Sequence, residues 1–129
     1  ACASATGPAY AACLDLSALH GEPAGQLQAV HGAAINFAAR YARQASLTLL
    51  LAPQQPGRWQ DAGDGPAARM LVSTLACEWG SRALRINALE VPADMDPHAL
   101  HPLLRFVCGA GAQYLTGQTL VCSNSGATA

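Results

Sequence analysis

Between two segments of helical periodicity lies SLTLLLA, Ser46 to Ala52, a nearly unbroken apolar run stopped by Pro53. No alternation of polar and apolar residues is present, so a strand built from it has no face suited to water. A strand buried on both faces belongs to a parallel sheet with helices packed on either side. This run therefore points to an α/β layer architecture.

The flanking sequence supplies the other layers. Over residues 25–44, Leu27, Val30, Ala34, Phe37, Ala38 and Tyr41 form one apolar stripe at helical spacing. His31, Ile35 and Ala42 add a second flank, so this helix calls for cover on two sides. Gln54 to Gly65 reads as a Pro/Gly-rich loop, Pro66 suits a first helical turn, and Gly80 suits a helix end. Between those marks, Ala67, Met70, Leu71, Leu75, Ala76 and Trp79 fill much of the helix circumference. Leu84 to Val91 is the next strand. Asp96-Pro97 opens a third helix through Leu100, Leu103, Leu104 and Val107 to Gly109, and Thr119 to Cys122 is a last short strand. Ala11 to Leu16 is a possible leading strand, and residues 1–9 are expected to be loosely held. Residues 1–24 thus read as an extension or remnant strand, and residues 25–129 as one α/β domain.

Composition narrows the partners. Of 129 residues, 51% are hydrophobic and only 12% charged, with a net charge of −1. So few charges imply that much of the surface faces another protein. The seven cations are all Arg and lie scattered, which argues against nucleic acid. The longest apolar stretch is too short to cross a bilayer, and no secretory signal is visible. Five widely spaced Cys, without CxxC or zinc spacing, read as buried free thiols in a reducing cytoplasm.

Several residues are candidates for chemistry. His31 is read first as a hydrogen-bonded interior or interface histidine and second as a general base. His98 and His101 stand at i, i+3 with Asp94 and Asp96 ahead of them; an exposed pair is the simpler reading than a metal site. Asp61 and Asp64, in a Gly-rich loop, suit turn formation and helix capping better than cation binding. GPAAR, Gly65 to Arg69, is a helix start with little likeness to an anion-binding loop. Trp59 is either a partner anchor or a plug over the core.

The segment AARMLVSTLACEWGSRALRINALEV, Ala67 to Val91, resembles the short-chain dehydrogenase/reductase pattern "LA.EWG" followed by "R.R(V/I)NA". LHPLLRFVCGAGAQYLTGQTLVC resembles that family's closing "FL.S..A.Y.TGQ.L.VDGG". AVHGAAINFAARYARQ and SLTLLLAP resemble its long central helix and the following strand. The likeness covers about residues 25–126, the later half of a usual member. It implies a truncated Rossmann-like parallel sheet flanked by helices.

The departures from the family pattern bear directly on activity. No GxxxGxG or GxGxxG is present to cradle a dinucleotide pyrophosphate, so the resemblance implies no cofactor bound by this chain. Counting back from Glu78, the family's YxxxK tyrosine and lysine fall at Asp61 and Gly65; its Ser aligns near Ala52 and its helix Asn near His31. In the family a phenol of lowered pKa exchanges the proton, and the lysine cation supports it. Neither an aspartate nor a glycine supplies those groups, so the chain by itself is expected to lack dehydrogenase activity.

Family members usually associate through two surfaces, and the elements that form them are retained. The resemblance places Phe37, Arg40, Tyr41, Met70, Ser73, Thr74 and Cys77 on a helical interface. It places Phe106, Leu115, Gln118 and Leu120 on a second. The implied role is a non-catalytic, cytoplasmic subunit that stabilises a full-length, NAD-dependent dehydrogenase partner. This resembles the inactive chain of heteromeric short-chain dehydrogenases acting on hydroxyacyl-CoA thioesters in anaerobic aromatic degradation. Two rival expectations are a homodimeric structural or ligand-binding module, and a lyase or isomerase using His31 and Asp61.

Overall fold

A computed structural model describes residues 2–3, 10–17, 25–53 and 63–123. In chain order the elements are β1 (Cys2–Ala3), β2 (Tyr10–Asp15), α1 (Gly25–Arg40), β3 (Ala45–Leu51), α2 (Asp64–Trp79), β4 (Leu84–Glu90), α3 (Pro97–Cys108) and β5 (Thr119–Val121). Single 3-10 turns follow α2 at Gly80–Arg82 and α3 at Ala110–Ala112.

The strands form one sheet in the order β1-β2-β3-β4-β5. β2, β3, β4 and β5 are parallel, and β1 pairs antiparallel at the β2 edge, with Cys2 opposite Ala11. The pairing of Cys2–Ala3 was not foreseen for a segment expected to be loosely held. β2 occupies the remnant strand predicted from AACLDL. The fold is α/β, a four-stranded parallel sheet flanked by helices, as the SLTLLLA run required.

All seven residues of β3 are buried. Leu47, Leu49 and Leu51 enter the larger core with Val30, Ala34 and Phe37 of α1, with Ala68, Val72, Ala76 and Trp79 of α2, and with Ile86 and Ala88 of β4. Leu50 lies on the other face with Leu89, Val107 and Cys122, covered by Leu100, Leu103 and Leu104 of α3. Strand alternation thus sends successive leucines of one run into two different cores.

The first long helix is shorter than its apolar spacing suggested: it ends at Arg40 and not at Gln44. The Arg82 guanidinium donates to the carbonyls of Ala38, Tyr41 and Ala42, taking up the oxygens that a longer helix would have used internally. Gln44 then adopts φ 54° as the chain turns into β3. At the other end, Asp64 Oδ2 and Oδ1 accept hydrogen bonds from the backbone amides of Gln26 and Leu27 at 3.0 and 2.9 Å. α1 is therefore held at both ends by charges that complement its dipole, one from the first turn of α2 and the other from the 3-10 turn after it. Ring stacking of Phe37 on Trp79, centroids 5.6 Å apart, closes the middle of the pair.

α3 starts as predicted. The side chain of Asp96 accepts from His98 N at 2.9 Å, and Pro97 takes the first turn, where its missing amide costs nothing.

Candidate functional site

Open parallel sheets bind ligands beyond the carboxyl ends of their strands, because loops and helix N-termini converge there. In this chain that edge is formed by Asp15, Ala52, Glu90 and Cys122, with Gly65 and Arg69 of α2 beside it. Arg69 fills the middle. Its Nε donates to Glu90 Oε2 at 3.0 Å, Nη1 to Gly65 O at 2.9 Å, and Nη2 to Ala52 O at 3.1 Å. Both side chains of the ion pair are only 11% exposed.

The guanidinium thus joins two positions singled out in the sequence, Ala52 and Gly65, through their carbonyls. Both residues are buried, and neither offers a functional side chain. Asp61 and Trp59 lie outside the described residues. His31 is exposed on α1, so the interior one of the two settings expected for it is not found. It follows Val30 by one residue, about 100° of helical turn, and so lies beside the buried Val30–Ala34–Phe37 stripe and not on it.

In the sequence Arg69 stands out only as the end of the GPAAR helix start, and no motif marks Glu90. A carboxylate closing the mostly buried strand LRINALE is the available signal. Asp64, expected to cap a helix, does so, but for α1 across 38 residues of sequence rather than for its own helix. His98 and His101 are both exposed. Among the described residues no three or more His, Cys, Asp or Glu side chains gather as a metal site. No helix of the described residues is long and apolar enough to cross a membrane.

Two titrating groups flank the edge and the α3 side of the sheet. Burial, reinforced by the Glu90 carboxylate, pushes the Cys122 thiol up. Burial lowers the Arg85 guanidinium from its ordinary value, an effect opposed by the nearby Cys108. Arg85 donates to the carbonyls of Ala112 and Leu115. Asn87 Nδ2 donates to Leu115 O at 2.8 Å, while its Oδ1 accepts from Gln118 N at 3.1 Å. These two β4 side chains fasten the 112–118 loop, which carries the TGQ sequence, against the sheet.

The expected association residues divide into two groups. Phe37 is a correction: it is 5% exposed and belongs to the core, because its i−3 and i−7 neighbours Ala34 and Val30 form the buried stripe. Arg40, Met70, Ser73, Thr74 and Cys77 are exposed on the α1 and α2 surface, and Tyr41 is half-buried. Phe106 and Gln118 are exposed, whereas Leu115 and Leu120 are half-buried against the α3-side core. Ile35, from the second flank of α1, is 55% exposed, and Met70 is 68% exposed. Phe106, Tyr114 and Val121 are 55%, 90% and 72% exposed. Sequence reasoning had not picked out Tyr114 or Val121.

No family model and no curated protein sequence matches this chain. Solved structures do. The citronellol catabolism dehydrogenase of Pseudomonas aeruginosa PAO1 superposes with a TM-score of 0.62 at 17% identity, covering 87% of this chain and 59% of that one. A 4-hydroxyisoleucine dehydrogenase complexed with NADH and succinate gives 0.58 at 13%, covering 85% and 65%. The acetoin dehydrogenase of Salmonella typhimurium gives 0.56 at 19%, covering 75% and 49%. The chain is therefore similar in fold to part of a Rossmann-like dehydrogenase of the short-chain type. It spans about half to two thirds of the length of the structures it matches.

Proposed function

We propose that this chain is a non-catalytic subunit of a heteromeric, NAD-dependent short-chain alcohol dehydrogenase, stabilising a full-length active subunit in the cytoplasm. NAD is bound by the partner. The reading extends to a hydroxyacyl-CoA substrate, with the 2-[hydroxy(phenyl)methyl]succinyl-CoA dehydrogenase of anaerobic toluene degradation as the specific case it resembles.

The observation that carries the proposal is the exposure of Ile35 on α1, whose two ends are fixed by Asp64 and Arg82, and of Met70 on the adjoining α2. Large apolar side chains on a pre-organised surface gain most from a protein partner, since little ordering entropy remains to be lost. The missing YxxxK residues speak for a role without chemistry of its own.

The test is co-expression with full-length short-chain dehydrogenases of the same genome that retain the glycine-rich turn and YxxxK. A stable complex is expected with one of them, lost in the Ile35→Glu/Met70→Glu variant while far-ultraviolet dichroism stays unchanged. A monodisperse wild-type monomer that joins none of them, or tight NAD(H) binding by the isolated chain, overturns the proposal. Light scattering separates out the homodimer alternative. Turnover of the complex in a His31→Ala background tests the lyase or isomerase alternative.

A further inference from the structure

The carboxyl edge contains a charge arrangement that the subunit reading does not need. Arg69 is oriented by two contacts independent of Glu90, its donations to Gly65 O and Ala52 O. Those bonds hold the guanidinium plane in place at the mouth of β3 and β4. Among the described residues, Nε alone is directed to an acid, and that acid is the last residue of β4. Glu90 is likewise fixed by its backbone: its carbonyl accepts from Cys122 N, and the next amide, Val91 N, donates to Leu51 O.

A guanidinium pre-oriented where parallel sheets take ligands is what a carboxylate site requires, since charge-assisted bonds to a fixed fork are strong and directional. We propose that Arg69 forms a carboxylate-binding site and that Glu90 is its built-in ligand, so the site is kept shut from within. Burying both charges costs desolvation on each side, which their attraction offsets only while the pair is intact. Removing the Glu90 side chain leaves a nearly buried guanidinium without a counter-charge and a space of carboxylate size beside it. An external small carboxylate then takes the vacated place. This inference does not rest on the subunit reading, and failure to find a partner leaves it unaffected.

The experiment uses the full chain, wild type and variants, melted in sodium acetate, sodium phosphate and sodium chloride at matched ionic strength. Glu90→Ala is expected to show a saturable, acetate-specific rise in melting temperature of about 3–6 °C, the size that occupancy well above Kd confers on a small domain. Wild type is expected to show none, and Arg69→Met/Glu90→Ala is expected to lose the response. If Glu90→Ala is unfolded in chloride, recovery of native dichroism in acetate supports the proposal equally. No acetate effect on a folded Glu90→Ala, failure to fold in either salt, an equal response in wild type or the double variant, or a larger response to phosphate than to acetate overturns it.

Discussion

The carboxylate of Asp64 accepts the backbone amide of Gln26 at 3.0 Å, so the first turn of one helix caps the N-terminus of another 38 residues earlier. Leu27 N donates to the same carboxylate at 2.9 Å. Two donors left without intrahelical partners are satisfied by one negative group at the positive end of the helix dipole. Asp64→Ala should destabilise the chain by ~1–2 kcal/mol, the range for loss of a side-chain cap, and should expose the start of α1. Denaturant unfolding together with amide exchange at Gln26 and Leu27 checks this. Unchanged protection at those two amides would remove the capping role.

Gly117 should not accept a side chain. Its φ is +74°, and a Cβ there would stand 2.9 Å from the Cβ of Ala76. Its amide donates to Ile86 O at 2.7 Å, so the loop cannot move away from α2 without giving up its attachment to β4. Gly117→Ala is expected to lower stability by more than ~1 kcal/mol through left-handed strain and the close approach together. Gly111 faces open space, and Gly111→Ala is the control, expected to change stability little. Comparable midpoints for the two variants would contradict this.

Arg69 and Glu90 should respond non-additively. Arg69→Met removes the Arg69 guanidinium from the nearly buried Glu90 carboxylate and is expected to cost up to roughly 3–5 kcal/mol. Arg69→Met/Glu90→Met removes both desolvated charges and should recover most of that loss. A double-mutant cycle by chemical denaturation measures the coupling, and a near-zero interaction energy would show that the pair contributes little.

Cys122 should make the fold sensitive to alkali. Burial first, and the neighbouring Glu90 charge second, favour its protonated form in the folded state. A thiol raised by folding contributes stability that is complete below the unfolded value, roughly pH 8.5, and is lost as pH rises through the folded value. Stability should therefore fall above about pH 8.5, and Cys122→Ala should flatten that slope. Iodoacetamide should also modify Cys122 more slowly than the exposed Cys77 at pH 8. Identical pH slopes for wild type and Cys122→Ala would refute the first expectation, and equal modification rates the second.

Most of the layer structure is legible in local pattern. SLTLLLA specifies a doubly buried strand whatever surrounds it, and Asp96-Pro97 specifies a helix start because the cap and the missing amide act within one turn. That Asp and Gly stand at positions 61 and 65 is likewise a matter of residue identity and needs no coordinates. Phe37 shows where local pattern falls short. Periodicity puts it on an apolar stripe, but a stripe does not say whether it meets this chain's Trp79 or another protein.

By itself the sequence determined the order of strands and helices from β2 onward, since that order depends on residue type and short-range spacing. Tertiary structure alone decided the contacts between distant segments. It placed Asp64 on the amides of Gln26 and Leu27, ended α1 at Arg40 with Arg82, and set Arg69 against Glu90. Charges and orphan backbone groups satisfy one another wherever the sheet register brings them within reach, and no periodicity along the chain encodes that meeting.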